Sequence, residues 1–116
     1  LIEVCCCFIL SELKIRLKED IDKANREEAN NLNARVGSDL GELQSRLMTS
    51  LNNTRTELAG AVAATNRAIP DAMLNEAQTL MTSTTDDNNE WAANLKVAES
   101  LLRNVNRYFL GHNPAT

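Results

Sequence analysis

The residues with the most reactive side chains are few, and their spacing suits neither a catalytic site nor a metal site. Cys5, Cys6 and Cys7 are consecutive, and His112, the single histidine, stands near the end of the sequence. A zinc site needs ligands spread over several turns, and no Gly-rich phosphate loop, His-x-x-x-His or Cys–His pairing occurs. We expect His112 to cap helix carbonyls rather than to catalyse. The sequence therefore predicts a protein without enzymatic activity, cofactor or metal.

The three adjacent cysteines leave several roles open. Neighbouring cysteines rarely bridge each other, so they could cross-link parallel chains, carry a lipid, or stay reduced and buried. They belong to residues 1–9, an apolar, Cys-rich lead-in whose one charged residue is Glu3. Such a stretch is about half the ~20 residues that span a bilayer as a helix, and it lacks the features of a signal peptide. We expect no transmembrane segment in these residues.

Composition favours an all-α fold with narrow seams between helices. Aromatic residues make up 3% of the chain, too few to fill a wide globular interior. Four Gly and two Pro interrupt a sequence rich in helix-forming residues, and no strand pattern appears. The net charge is −4, and no basic patch with interleaved aromatic residues is present. The sequence therefore excludes a nucleic-acid partner.

A stripe of apolar residues predicts one long central helix over residues 10–69. It opens with Leu13, Leu17, Ile21, Ala29, Leu32 and Val36. From there, positions eleven residues apart recur in three series, led by Leu32, Val36 and Leu40. This hendecad spacing is typical of helices that associate nearly straight or with a gentle right-handed coil. A long helix with a narrow stripe needs partner helices to cover it.

We therefore expect a coiled coil formed by copies of this chain, as a parallel trimer. Asn25, Thr54 and Thr65 would be polar layers that fix register and strand number at some cost in stability. The predicted centre of the oligomer consists of the apolar stripe residues Val36, Leu40, Leu43, Leu47, Leu51, Leu58, Val62 and Ile69.

Two breaks separate the long helix from a shorter outer helix. Pro70 is expected to end or kink the long helix, because proline lacks the N–H and clashes with the preceding turn. Residues 70–89 would then hold a short helix and a polar reversal loop. Asp87 followed by Glu90 indicates an N-cap with its capping box.

Residues 90–110 show a heptad stripe and predict the outer helix. Gly111 and Pro114 are the expected stop signal, and residues 111–116 would form a tail. We expect this helix to fold back antiparallel to the first helix as a helical hairpin. Its packing residues would be Trp91, Leu95, Leu102, Val105 and Phe109.

Three carboxylates are candidates for sensing pH. Asp39 and Glu42 flank the stripe, and Glu57 is a third acidic residue near it. In a parallel oligomer, acidic residues of neighbouring chains could approach each other there, and like charges favour protonation. The alternative is that these carboxylates are exposed with nothing acidic opposite.

A glycosylation sequon occurs at Asn52, in the triplet Asn52-Asn53-Thr54. Such triplets are common by chance. If the apolar stripe is buried, a glycan at Asn52 would lie beside it and meet steric hindrance.

The order of elements resembles the core of class I viral membrane-fusion glycoproteins, with orthomyxovirus-like fusion subunits nearest. The likeness covers residues 29–110: the stripe of residues 36–69, the polar turn of 82–89 and the outer helix of 91–109. It implies a trimer on the virion envelope that draws two membranes together by hairpin formation, triggered by acid. The lead-in is unlike a Gly/Ala-rich fusion peptide, and membrane contact would come from segments outside these residues.

Two other functions fit the same pattern. One is a structural coiled coil, such as a viral fibre shaft, a scaffold or a cytoskeletal rod. The other is an apolipoprotein-like helix on a lipid surface, since such chains also use an eleven-residue period. Lipid-surface helices favour a broad apolar face bordered by Lys and Arg, whereas this stripe is narrow and has few lysines beside it.

Overall fold

A computed structural model describes residues 2–112, and these residues are helical almost throughout. The elements are α1 (Ile2–Ala61), a short 3₁₀ turn (Ala64–Asn66), α2 (Ala68–Thr82) and α3 (Asn88–Phe109). The all-α class is therefore confirmed, with no strand among residues 2–112. Residue 1 and residues 113–116, which include Pro114 and most of the predicted tail, lie outside the described part. The chain divides into an N-terminal unit (Leu1–Arg35) and a bundle unit (Val36–Thr116).

The N-terminal unit is a single helix, the first half of α1. Every residue that the structure describes in it is exposed. The helix begins at Ile2, so the lead-in of residues 1–9 is helical rather than a separate segment. Glu3 in the first turn suits the positive end of the helix dipole, and no Gly or Pro interrupts these residues. Among residues 2–112, no helix combines the length and apolarity needed to cross a membrane.

The long helix ends earlier than expected, at Ala61 rather than Ile69. Ala63 adopts an extended backbone (φ −60°, ψ 146°), and Pro70 lies buried in the first turn of α2. Proline is tolerated in a first turn, where its missing N–H has no helical partner to lose. Pro70 therefore excludes one continuous helix but does not mark the break. The observed break lies at residues 62–67, upstream of the predicted one.

The core of the bundle unit lies between the second half of α1, α2 and α3. Each helix contributes four buried residues in 4-3-4 or 3-4-3 spacing, the spacing of one helical face. The apolar core consists of Leu47, Leu51, Leu58, Leu74, Ala77, Met81, Leu95, Ala98, Leu102 and Val105. One polar residue, Thr54, is buried among them. The bundle therefore closes within one chain.

Side-chain contacts give the direction of each helix. Residues 44 and 55 of α1 contact residues 81 and 78 of α2, so α2 runs antiparallel to α1 and forms a helical hairpin with it. Thr54 contacts Asn106, while Gly41 lies under Trp91. The residue numbers of these contacts rise together along both helices, from 41 and 91 to 54 and 106, so α3 runs parallel to α1. The predicted antiparallel outer helix is therefore wrong, because α2 makes the return passage and α3 reverses direction again.

Local signals at the ends of α3 follow the sequence. Asp87 is the N-cap, and its Oδ1 accepts from the N–H of Asn89 at 2.9 Å. Glu90 does not accept directly from the N–H of Asp87, as it would in a capping box. Instead the N–H of Asp87 donates to Thr85 Oγ1, and Thr85 Oγ1 donates to Glu90. At the other end, Gly111 has φ +71°. The N–H of His112 donates to the carbonyl of Asn106, so Gly111 turns the chain back over the last turn of α3.

Candidate functional site

A polar contact joins α1 to α3 inside the bundle. Thr54 Oγ1 lies 3.3 Å from Asn106 Oδ1 and donates to it. Thr54 is buried and Asn106 is half-buried, so the hydroxyl needs this partner to offset its desolvation. Thr54 was predicted to form a polar layer between copies of the chain. In the structure it forms a polar contact between two helices of one chain.

Two further contacts fix α2 against α1. Arg55 Nη2 donates to Asn75 Oδ1 at 3.0 Å and to Gln78 Oε1 at 2.7 Å. Gln44 Nε2 donates to the carbonyl of Met81 at 2.7 Å. That carbonyl is one of the last in α2, where no intrahelical N–H is available. These contacts set the register of the hairpin.

An open groove of about 610 Å³ runs between α1 and α3. The two arginines that line it, Arg46 and Arg103, each lie near a carboxylate. Glu99 lies 2.8 Å from Arg103, and Arg46 lies 3.8 Å from Glu42. The remaining lining residues are polar or belong to the core edge: Leu47, Thr49, Ser50, Asn53, Thr54, Glu57, Leu102, Asn106 and His112.

The groove is lined by polar and charged side chains and is open to water. Glu99 and Arg103 pair within the lining, whereas the partner of Arg46 is Glu42, outside it. Among residues 2–112, no group of three or more His, Cys, Asp and Glu side chains is placed to hold a metal ion. The groove is therefore a solvated seam between two parallel helices.

The contact between His112 and Glu57 was not expected from the sequence. His112 Nε2 lies 2.7 Å and 2.9 Å from the two carboxylate oxygens of Glu57. The residues are fifty-five positions apart, and both are about half-exposed. Gly111 turns the chain so that His112 reaches α1. The stop signal at Gly111 was the one available clue to this contact.

The residues predicted for the oligomer centre fall into three groups: buried, partly buried and exposed. Leu47, Leu51 and Leu58 are buried within the chain by α2 and α3. The prediction assigned them to contacts between chains, whereas the structure places them in contacts within the chain. Leu40, Leu43 and Val62 pack partly against the same core. The other two predicted residues, Val36 and Ile69, are exposed.

The predicted packing residues of the outer helix all face the bundle, to different depths. Leu95, Leu102 and Val105 are buried, and Phe109 packs at the edge of the core. Trp91 is half-buried. Its ring carbon Cη2 would lie 3.9 Å from a Cβ at Gly41, an ordinary van der Waals distance.

The N-terminal unit carries an apolar stripe whose described residues are exposed. Leu13, Leu17 and Ile21 are four residues apart and are 50%, 61% and 58% exposed. Leu32 continues the exposed apolar positions. Among residues 2–35, an ion pair between Arg16 and Glu12 at 3.0 Å joins neighbouring turns of the same helix. The stripe is therefore the principal unpartnered surface of this unit.

The three candidate carboxylates are all exposed. Glu42 lies near Arg46, Glu57 contacts His112, and Asp39 lies on the surface of α1. Within one chain, two of the three thus face a cationic or potentially cationic group. Acid sensing through like charges of neighbouring chains stays a prediction.

Asn52 and the cysteines are also exposed. Asn52 lies inside α1, and its carbonyl accepts from Thr56. Sequon acceptors usually lie in surface loops, and the sequon's Thr54 hydroxyl already donates to Asn106. Cys5, Cys6 and Cys7 are free, exposed thiols on the helix surface, so of the three roles left open, burial is not seen among the described residues.

Comparison with protein-family models, with curated proteins and with solved structures gave no match to this chain. The function proposed below therefore rests on the residues and the geometry alone.

Proposed function

We propose that this chain is a non-enzymatic, self-associating helical module. Residues 10–36 of α1 would pair with the same residues of other copies, and each copy would carry its own three-helix bundle. The observation that supports this is the exposed stripe of Leu13, Leu17 and Ile21. The function is structural: association brings several bundles together.

Physical reasons favour a partner for the first half of α1. An isolated helix in water is marginally stable, because helix formation depends largely on burying an apolar face. Each half-exposed stripe residue that becomes covered contributes about 1 kcal/mol. The stripe is narrow, with Glu12, Lys14, Arg16 and Lys18 around it. A narrow stripe suits the seam of a coiled coil better than a lipid surface.

We further propose that the copies are parallel and number three. The support is the sequence pattern: polar Asn25 interrupts the stripe, as polar layers do where they fix register. The 4-4 spacing of Leu13, Leu17 and Ile21 is symmetric about Leu17, so it accepts either orientation. Orientation therefore needs its own experiment.

Disulfide cross-linking through the native cysteines tests the parallel arrangement. Oxidised glutathione would accept the electrons: two thiols of neighbouring chains form one disulfide, and two glutathione thiols leave. Parallel chains place Cys5–Cys7 side by side, so we expect covalent dimers and trimers on non-reducing gels. Antiparallel chains separate the cysteines and would give monomers only, as would a variant with all three replaced by serine.

A class I fusion core would be a narrower form of this module. The α1–α2 hairpin agrees with it, whereas the parallel direction of α3 departs from the antiparallel outer helix that the resemblance implies. Its distinguishing expectation is acid stabilisation, since protonation relieves repulsion between carboxylates of neighbouring chains. A melting temperature that falls on acidification would instead support a structural module, because acid neutralises carboxylates that pair with cations.

A further inference from the structure

Residues 2–10 of α1 are apolar apart from Glu3 in the first turn, and their large apolar residues lie on more than one side of the helix. At about 100° per residue, Val4 and Phe8 lie on one side of the helix, and Ile2 and Ile9 lie about 130° away from them around the axis. Their exposed fractions range from 55% at Ile9 to 80% at Ile2. A helical segment with large apolar residues on more than one side is typical of one surrounded by an apolar medium.

A second copy of the chain would cover only one side of this segment. Phe8 points about 140° away from Leu13 and about 180° away from Leu17, around the helix axis. A seam built on Leu13 and Leu17 therefore leaves Phe8 in water, together with Val4 beside it. The acyl chains of a lipid bilayer would cover all sides at once.

Basic residues follow this segment directly. Lys14, Arg16 and Lys18 come within eight residues of Leu10, which is about 12 Å along a helix. Glu12 is the one acidic residue among them, and acidic residues become frequent from Glu19 onward. Cations at this distance from an apolar end lie at the level of lipid headgroups, where each contributes to binding an anionic surface.

We propose that residues 2–10 insert into one leaflet of an anionic bilayer, with Lys14, Arg16 and Lys18 at the headgroups. Nine helical residues extend about 13 Å, less than half of the ~30 Å hydrocarbon core. These nine residues are therefore long enough to reach into one leaflet. The exposed thiols of Cys5–Cys7 enter the acyl region with them. This proposal does not depend on self-association through residues 10–36.

The native thiols report the insertion directly. The full chain is reduced and reacted with a charged, water-soluble maleimide, with and without vesicles. Vesicles of phosphatidylcholine and phosphatidylserine should slow the labelling about tenfold or more. Pure phosphatidylcholine should protect less, because headgroup attraction contributes about fivefold per basic residue. Equal labelling rates with and without the anionic vesicles would overturn the proposal.

Three variants separate the causes of any protection. Phe8→Asp lies away from the stripe and should abolish vesicle protection while leaving the oligomer mass unchanged. Lys14→Gln/Lys18→Gln should weaken binding to the anionic vesicles about thirtyfold. Leu13→Ala should weaken association but keep the lipid protection. Two outcomes would show that a protein surface covers these residues and would refute insertion. One is slower thiol labelling at higher protein concentration without lipid, and the other is vesicle protection that persists in Phe8→Asp.

Discussion

The same substitution at two leucines of α1 should have different consequences, because one faces the chain's own bundle and the other faces outward. Leu51 is completely buried in the bundle core, whereas Leu13 is half-exposed in the N-terminal unit. Leu51→Ala removes three carbon groups at about 0.8 kcal/mol each, and the cavity left behind adds to the loss. We expect it to lower the free energy of unfolding by about 3–4 kcal/mol.

A loss of this size is large for a unit as small as this bundle. One kcal/mol shifts the melting temperature of a domain of comparable length by about 4–8 °C. Leu51→Ala should therefore lower it by about 12 °C or more, equally at all protein concentrations. Thermal and denaturant melts followed by circular dichroism, at concentrations about tenfold apart, would measure the effect.

Leu13→Ala is the matched control and should leave the bundle intact. Alanine is at least as good a helix former as leucine, and no bundle contact is lost. The cost falls on association: about 1 kcal/mol per chain, or about a hundredfold in the association constant of a trimer. If Leu51→Ala changed the oligomer mass without lowering the melting temperature, Leu51 would belong to a seam between chains. The division of the stripe described above would then be incorrect.

Other substitutions check the local structure of the bundle by circular-dichroism melts. Gly41→Ala should stabilise the bundle by about 0.5–1 kcal/mol, because a Cβ there meets Trp91 at ordinary contact distance. Gly111→Ala should destabilise it by about 1–2 kcal/mol, because Gly111 has φ +71°. Changes of the same sign in both variants would contradict the assigned backbone. Asp87→Ala should cost about 1 kcal/mol through loss of the N-cap, and neighbouring Asp86→Ala, at an exposed position, should be nearly neutral. Trp91→Ala should cost about 2 kcal/mol, roughly half the value for full burial, and Trp91 emission should lie between that of buried and water-exposed indole.

Local signals in the sequence predicted the helices well. Asp87 before a heptad stripe predicted the start of α3, and Gly111 predicted its end, because capping depends on residues a few positions apart. The apolar faces of α1 and α3 were likewise visible, since helical periodicity records which side is buried. These features need no knowledge of the rest of the chain.

The sequence did not show which helix covers each face. The same stripe is covered within the chain at Leu51 and left open at Leu13, and periodicity does not distinguish the two cases. The break after Ala61 was missed although Gly60 beside it is a weak helix former, because the flanking alanine and valine residues continue the apolar pattern. The direction of α3 depended on that break, since an additional returning helix reverses everything after it.

Contacts between distant residues were equally hidden. Arg55 meets Gln78, and His112 meets Glu57, only after the three helices have packed. Long polar side chains take whichever partner the packing brings close. The spacing of these residues along the chain does not predict such contacts.

Sedimentation equilibrium of the full chain, compared with a Leu13→Asp/Leu17→Asp variant, tests self-association through the first half of α1 most directly. We predict a wild-type mass that rises with concentration to three times the 12.8 kDa chain mass. We predict a monomeric variant whose bundle melts at the same temperature as that of the dissociated wild type, because two unpaired carboxylates in an apolar seam each cost several kcal/mol. A wild-type chain that stays monomeric at every concentration, or a variant that still associates, would contradict the proposed module.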